Sequence, residues 1–306
     1  VGSSGSEVFW GIVSAFIAFL LGLAWRRLTQ GLVNFRARRF WRPLIGENMH
    51  VVLGRFRELP GFEASGVVGA GDNIALKDLA DYFTRIGFKR FTVLYNDQFG
   101  WSDTVRSSPM QGNLILLGGP DANRLTREVL ERITLGIEFL EVSPDYLQNS
   151  RNGVAVSSGP APSLARRVGS VWPLSRWGRA SRPEWRVPVF LDKVEDTLHG
   201  PVMSAKEIRS DCGVLIRCPN PFNTAREVMI FCGSYGYGTW AAVQFSQSKE
   251  FLERVPKRVR FIECVLTVDV VREMPQNIQV ALLRPLDEAT LALASQAYLR
   301  VPRIVS

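Results

Sequence analysis

Eighteen consecutive positions near the start of the chain, Val8 to Trp25 (VFWGIVSAFIAFLLGLAW), carry no charge. As a helix rising about 1.5 Å per residue, such a run covers roughly 27 Å, enough for the hydrocarbon core of a bilayer. Trp10 and Trp25 border it, and tryptophan favours the headgroup level. The pattern then changes to Arg26–Arg42 (RRLTQGLVNFRARRFWR), where Leu28, Leu32, Phe35, Phe40 and Trp41 alternate with six arginines. Positive charge that follows an apolar run describes a signal anchor better than a cleavable signal peptide. The flank before the run, VGSSGSE, has no Lys or Arg. By the positive-inside bias, the expectation is a single-pass protein of the inner membrane with its N-terminus outside. Residues 1–25 then form the anchor, 26–45 a basic juxtamembrane segment and 46–306 a cytoplasmic domain.

Beyond Gly46, short apolar runs alternate with amphipathic ones. Strands are expected at Met49–Gly54, Phe91–Tyr95, Asn113–Leu117, Val187–Leu191, Gly213–Arg217 and Phe261–Val271, with a further one at Gln279–Leu283. Helices are expected at Ile74–Ile86, Asn123–Ile133 and Lys249–Arg254; in the first, Leu76, Leu79, Ala80 and Phe83 share one face. Several strands are apolar at every position, and strands alternate with helices. That combination predicts an α/β domain of Rossmann-like type, with a mostly parallel sheet and helices on both faces, preceded by one transmembrane helix. Residues 149–187 interrupt the alternation: rich in Ser, Gly, Pro and Arg, they read as a long insertion.

The net charge of +8 raises the question of nucleic acid as partner. The arginines beside the apolar run suit anionic lipid instead, so membrane lipid, through residues 8–25 and the basic flank, is the expected partner and nucleic acid is not. Cys212, Cys218, Cys232 and Cys264 lie in or beside apolar runs without a CxxC, which favours buried thiols over disulfides or zinc ligands. His50 and His199 stand apart, and no metal site or cofactor is expected. Without HExxH, GxSxG or a Gly-Lys-Ser/Thr loop, metallohydrolase, serine hydrolase and ATP-driven chemistry lack support.

Two loops share a design: an apolar strand, then glycines, then a helix start. One is NLILLGGPDAN, Asn113 to Asn123; the other is VMIFCGSYGYGTWAA, Val228 to Ala242. In an open parallel sheet such loops meet at the carboxyl ends of the strands and form the ligand crevice. From the first come Gly118, Gly119, Asp121, Asn123, Arg124 and Arg127; the asparagine or aspartate can cap the helix, and the arginines would meet an anion. The second offers Gly233, Ser234, Gly236, Tyr237, Gly238 and Thr239, a glycine turn that can bring backbone N–H groups to a phosphate. A third loop, RCPNPFN, presents Asn220 and Asn223 to a base or ribose. Each has a plainer reading as a steric or Asn-Pro turn. Asp97, Asp103 and Asp121 stand near strand ends and read as an acidic set or as solvated turn residues, and a catalytic role would draw on Asp97, Asp121 or Asp211.

Gly236-Tyr237-Gly238-Thr239 resembles the GxGT core of the phosphate loop in the SLOG superfamily, which includes the LONELY GUY phosphoribohydrolases. Ser234-Tyr235 stands where that loop has Pro-Gly, and Ala242 where it has its glutamate. The likeness implies nucleotide binding, while the missing glutamate puts N-glycosidic hydrolysis in doubt. The order GGPxAN, NPFN, GxxGxGT is also similar to an uncharacterised group of bacterial proteins and implies a nucleotide-sensing domain. The expected function is a membrane-anchored sensor or effector for a nucleotide-like small molecule in bacterial stress or phage-defence signalling, its single helices associating into a homo-oligomer. A nucleotide or nucleoside hydrolase or transferase is one alternative, and a tethered interaction module without ligand is another.

Overall fold

The computed structural model describes residues 4–45, 49–56, 66–88, 91–99, 108–142, 166–167, 187–204, 207–256, 259–286 and 291. Of the 149–187 insertion, all but residues 166, 167 and 187 lies outside the described residues, as does Asp103. The chain separates into two compact units, Val1–Pro43 and Leu44–Ser306.

The first unit is one helix, α1 (Ser4–Trp41, 38 residues). The apolar run and the arginine-rich run are successive turns of the same rod, which carries Arg38 and Arg39 in its last turn, where positive charge suits the carboxyl end of a helix. Phe9, Trp10, Phe16, Phe19, Leu21 and Trp25 are exposed along it. Among the described residues no helix is long and apolar enough to cross a membrane. That finding overturns the expected anchor over residues 1–25 and, with it, the single-pass placement in the inner membrane. The apolar residues 8–25 do not form an element of their own, since the helix continues unbroken through Arg36, Arg38 and Arg39.

Among the described residues the second unit holds two sheets. Its strands are β1 (Met49–Leu53), β2 (Thr92–Tyr95), β3 (Asn113–Leu117), β4 (Ile137–Val142), β5 (Arg166–Arg167), β6 (Val187–Asp192) and β7 (Thr197–His199). Then come β8 (Val202–Ser204), β9 (Glu207–Asn220), β10 (Asn223–Gly233), β11 (Ile262–Val271) and β12 (Met274–Pro285). The helices are α2 (Ala70–Arg85), α3 (Arg124–Leu130), α4 (Gly236–Ser246) and α5 (Lys249–Arg254). The larger sheet runs β12-β11-β9-β10-β3-β1-β2, with β8 on β9, and the smaller runs β5-β4-β6-β7.

The expected parallel, Rossmann-like sheet is therefore corrected to a mixed one. Only β10-β3, β3-β1 and β1-β2 pair in parallel; β8, β9, β11 and β12 join antiparallel, as does the whole smaller sheet. The physical reason lies in the connections. β9 and β10 are separated by Pro221-Phe222 alone, and β11 and β12 by Arg272-Glu273, both with positive φ (51° and 60°). Two-residue links can only reverse the chain, and a pair with positive φ matches the twist of a hairpin.

Central strands of the larger sheet are buried on both faces. Val52, Leu114, Leu116, Val214, Ile216, Val228 and Ile230 pack with Leu125 and Val129 of α3, and Ile137 and Phe190 of the smaller sheet join the same core. The alternate positions Ile115, Leu117, Leu215, Met229 and Phe231 are equally buried and face the other way, the side where α4 crosses β9 and β10. A run apolar at every position thus reports two covered faces, not strand direction. Arg284 of β12 ties the sheets together, donating to Glu263 of β11 and, at 2.9 Å, to Asp192 of β6.

Candidate functional site

Strands β3 and β10 lie side by side in parallel, so their last residues reach the same rim of the sheet. Gly118 follows β3 with φ of +99°, a left-handed conformation that glycine adopts without penalty. Its N–H donates to the Phe231 carbonyl at 3.0 Å and joins the two strand ends. After β10 the chain passes through Ser234-Tyr235 and enters α4 at once. The first turn of α4 lies against β9 so closely that a Cβ on Gly238 would sit 2.0 Å from the Cys212 carbonyl oxygen. The start of α2 abuts it: a Cβ on Gly71 would sit 2.3 Å from the Gly236 carbonyl oxygen. Bare backbone at these positions brings two helix N-termini to the ends of two parallel strands.

Asp211 of β9 is fully buried beneath this turn. Its carboxylate accepts N–H bonds from Gly238 at 2.6 Å, from Cys212 at 2.8 Å and from Tyr235 at 3.2 Å. Burial outweighs these donors and pushes the carboxyl up to about 7. With those amides engaged, the N–H groups of Gly236 and Tyr237 have no acceptor among the described residues, and no side chain caps α4. Beside them the Ser234 hydroxyl is buried without a hydrogen-bond partner, the residue being only 4% exposed.

Two more carboxylates face this turn. Asp72, in the first turn of α2, is buried, and its carboxyl is pushed up to about 6 by that burial. The polar side chain of Thr239 works against the rise, while the charge of Asp121 reinforces it. Asp121 is an exposed residue, and the protein around it raises its carboxyl above the ordinary carboxylate range by desolvation. Its own backbone N–H and that of Ala122 donate to it and oppose the rise, as does the charge of Arg127.

Together these groups border a crevice of about 460 Å³, within the range of small-molecule sites. Of the residues expected from the sequence, Gly118, Gly119, Asp121, Gly233, Ser234, Gly236, Tyr237 and Thr239 line it, and Gly238 lies directly beneath, packed on Cys212. The others do not reach it. Asn123 is buried as the cap of α3, accepting from Leu125 and Thr126 and donating to the carbonyls of Val52 and Leu117. Arg124 lies on the exposed side of α3, and Arg127 donates to the Pro120 carbonyl at 2.9 Å and lines a separate hollow with Glu131 and Lys193.

Asn220 and Asn223 sit at the opposite rim, because β9 runs antiparallel to β10 and its end meets the beginning of that strand. Asn220 donates to the carbonyls of Met110 and Gly112, and Asn223 to that of Gln111, so both hold the approach to β3. Asp97 is held by Arg55 in a two-toothed ion pair. Among the described residues lining the crevice none is Lys, Arg or His.

Sequence reasoning missed Asp72, Phe56, Trp240 and Glu273, all of which line the crevice. A signal for Asp72 was present: Gly69-Ala70-Gly71-Asp72 is a third glycine-bearing helix start, directly before the amphipathic pattern of α2. Glu273 carried none, since only the β11-β12 hairpin brings it near. No protein-family model, no curated protein and no solved structure matches the chain.

Proposed function

We propose that the crevice binds the phosphate-bearing part of a nucleotide or nucleotide-derived small molecule, and that the chain is a sensor or effector of that ligand. The observation that carries this reading is the buried, unpartnered Ser234 hydroxyl beside two free N–H groups at the start of α4. Helix N-termini carry partial positive charge and aim donors at an anion. A hydroxyl left without a partner in the same place costs stability unless a ligand completes it. Phe56, Tyr237 and Trp240 supply aromatic surface on which a base can stack. The likeness of Gly236–Thr239 to the SLOG phosphate loop points the same way.

Asp72 favours a second reading, a hydrolase or transferase acting on nucleotides or nucleosides. A carboxyl titrating at about 6 inside the crevice suits acid or base work near neutrality. Turnover of the bound nucleotide separates an enzyme from a sensor.

The test is mass spectrometry of small molecules carried through purification by the full chain, paired with thermal shifts against a nucleotide panel. A ligand present at 100 times its Kd adds about 2.7 kcal/mol of stability. Loss of that gain in Ser234→Ala, with the gain kept in Arg124→Ala, supports the reading. No carried ligand and no shift with any nucleotide overturns it.

A further inference from the structure

We propose that the crevice takes its ligand as the divalent-cation complex of a diphosphate-bearing molecule, with Asp72 and Asp121 supplying carboxylate oxygens to the cation. The inference rests on the phosphate reading above and names the class of phosphate it favours.

Charge balance is the starting point. The lining includes Asp72, Asp121 and Glu273 and, among the described residues, no cationic side chain. A phosphate at the start of α4 would meet carboxylates with only backbone dipoles and hydroxyls to offset them. A divalent cation held between phosphate and carboxylates removes that conflict. Bound cations are often the largest local charges in such sites.

Geometry puts the two aspartates where this requires. Both converge on the turn after β3: a Cβ on Gly118 would lie 3.1 Å from Asp72 Oδ2, and one on Gly119 would lie 2.5 Å from Asp121 Oδ1. Asp72 and Asp121 line one cavity with Ser234, Gly236, Tyr237 and Thr239, so the carboxylate pair and the anion-binding donors border the same space. The Ser234 hydroxyl, an observation independent of the acidic pair, marks that space as built for a ligand.

Among the described residues no three metal-ligating side chains stand together, so these residues alone do not form a cation cage. Magnesium does not need one: it is commonly held by one or two carboxylates plus phosphate oxygens and keeps several waters. A cation arriving with its ligand fits that pattern. Two adjacent phosphates chelate magnesium better than one, which selects di- and triphosphates over monophosphates.

The experiment measures binding of inorganic pyrophosphate and ADP to the full chain by calorimetry, in magnesium chloride and in EDTA, with inorganic phosphate as the single-phosphate control. The expected result is at least tenfold tighter binding of both probes with magnesium, little effect of magnesium on inorganic phosphate, and loss of the magnesium dependence in Asp121→Asn and Asp72→Asn. If Asp72→Asn does not fold, Asp121→Asn, whose side chain reaches solvent, carries the test. Equal affinity in EDTA overturns the cation and leaves the phosphate reading standing. A magnesium dependence that survives both substitutions overturns the assigned carboxylates. Absence of binding by these probes and by every nucleotide of the panel, with and without magnesium, overturns the phosphate reading itself.

Discussion

Adding a single methyl group at residue 238 would force the start of α4 off the sheet, since the Cβ would lie 2.0 Å from a backbone carbonyl oxygen that cannot swing aside. Gly238→Ala should lose about 3 kcal/mol or more in chemical denaturation, at the upper end of overpacking costs. Ser234→Ala is the opposite case. Its buried hydroxyl has no protein partner, so removing it should leave the ligand-free chain as stable as the parent or more stable, by up to about 1–3 kcal/mol, while ligand affinity falls. Asp211 makes stability depend on pH. Its folded-state carboxyl, near 7, lies above the unfolded value, so the folded chain holds the extra proton between about pH 4 and pH 7. Stability from this group is full below that window and is lost as pH rises through it, by at most on the order of 4 kcal/mol. Melting temperature followed across that range should show the decline in the parent and a flatter profile in Asp211→Asn. The glycines and Ser234 could be read in GSYGYGT because a turn between strand and helix has a local grammar. Asp211 could be listed only as a candidate, since what it does depends on β9 lying beside β10, and Asp72 escaped because its neighbours come from two distant turns.

Among the elements, strands were legible and their directions were not. Asn113–Leu117 and Lys249–Arg254 were expected with the bounds they have, and the core of β9 was found at Gly213–Arg217 although the strand runs from Glu207 to Asn220. Apolar residues at every position say that both faces are covered, which holds for central strands of either direction. The two-residue links Pro221-Phe222 and Arg272-Glu273 carried the missing information, and neither has the Asn-Gly composition by which such turns are usually recognised. One reversed strand then moved Asn220 from the ligand rim to the far rim. Asn220→Ala should therefore cost about 1–3 kcal/mol, because two buried carbonyls lose their donor, with nucleotide affinity unchanged once the variant is folded. Denaturation and ligand titration of the same variant check both halves.

At the scale of the molecule, composition misdirects. In a chain of net charge +8, the described residues lining the crevice include three carboxylates and no cation, and several described arginines are engaged elsewhere. Arg217 is buried against Glu227 at 2.6 Å, Arg284 bridges the sheets, and Arg55 holds Asp97. Glu227→Gln should destabilise by several kcal/mol in denaturation, as it strips the counter-charge from a buried guanidinium. The contact of Gly71 with Gly236 has a mechanical meaning as well. It is reinforced farther along by Trp240, whose indole N–H donates to Asp78 of α2 at 2.7 Å. Pinned at two points, α2 and α4 act as one stiff jaw, and neither can tilt alone. Whatever grips the amides of α4 also clamps α2, so hydrogen exchange should slow in both helices when the crevice fills. The news of an occupant thus travels the length of α2 toward the β2 edge of the sheet.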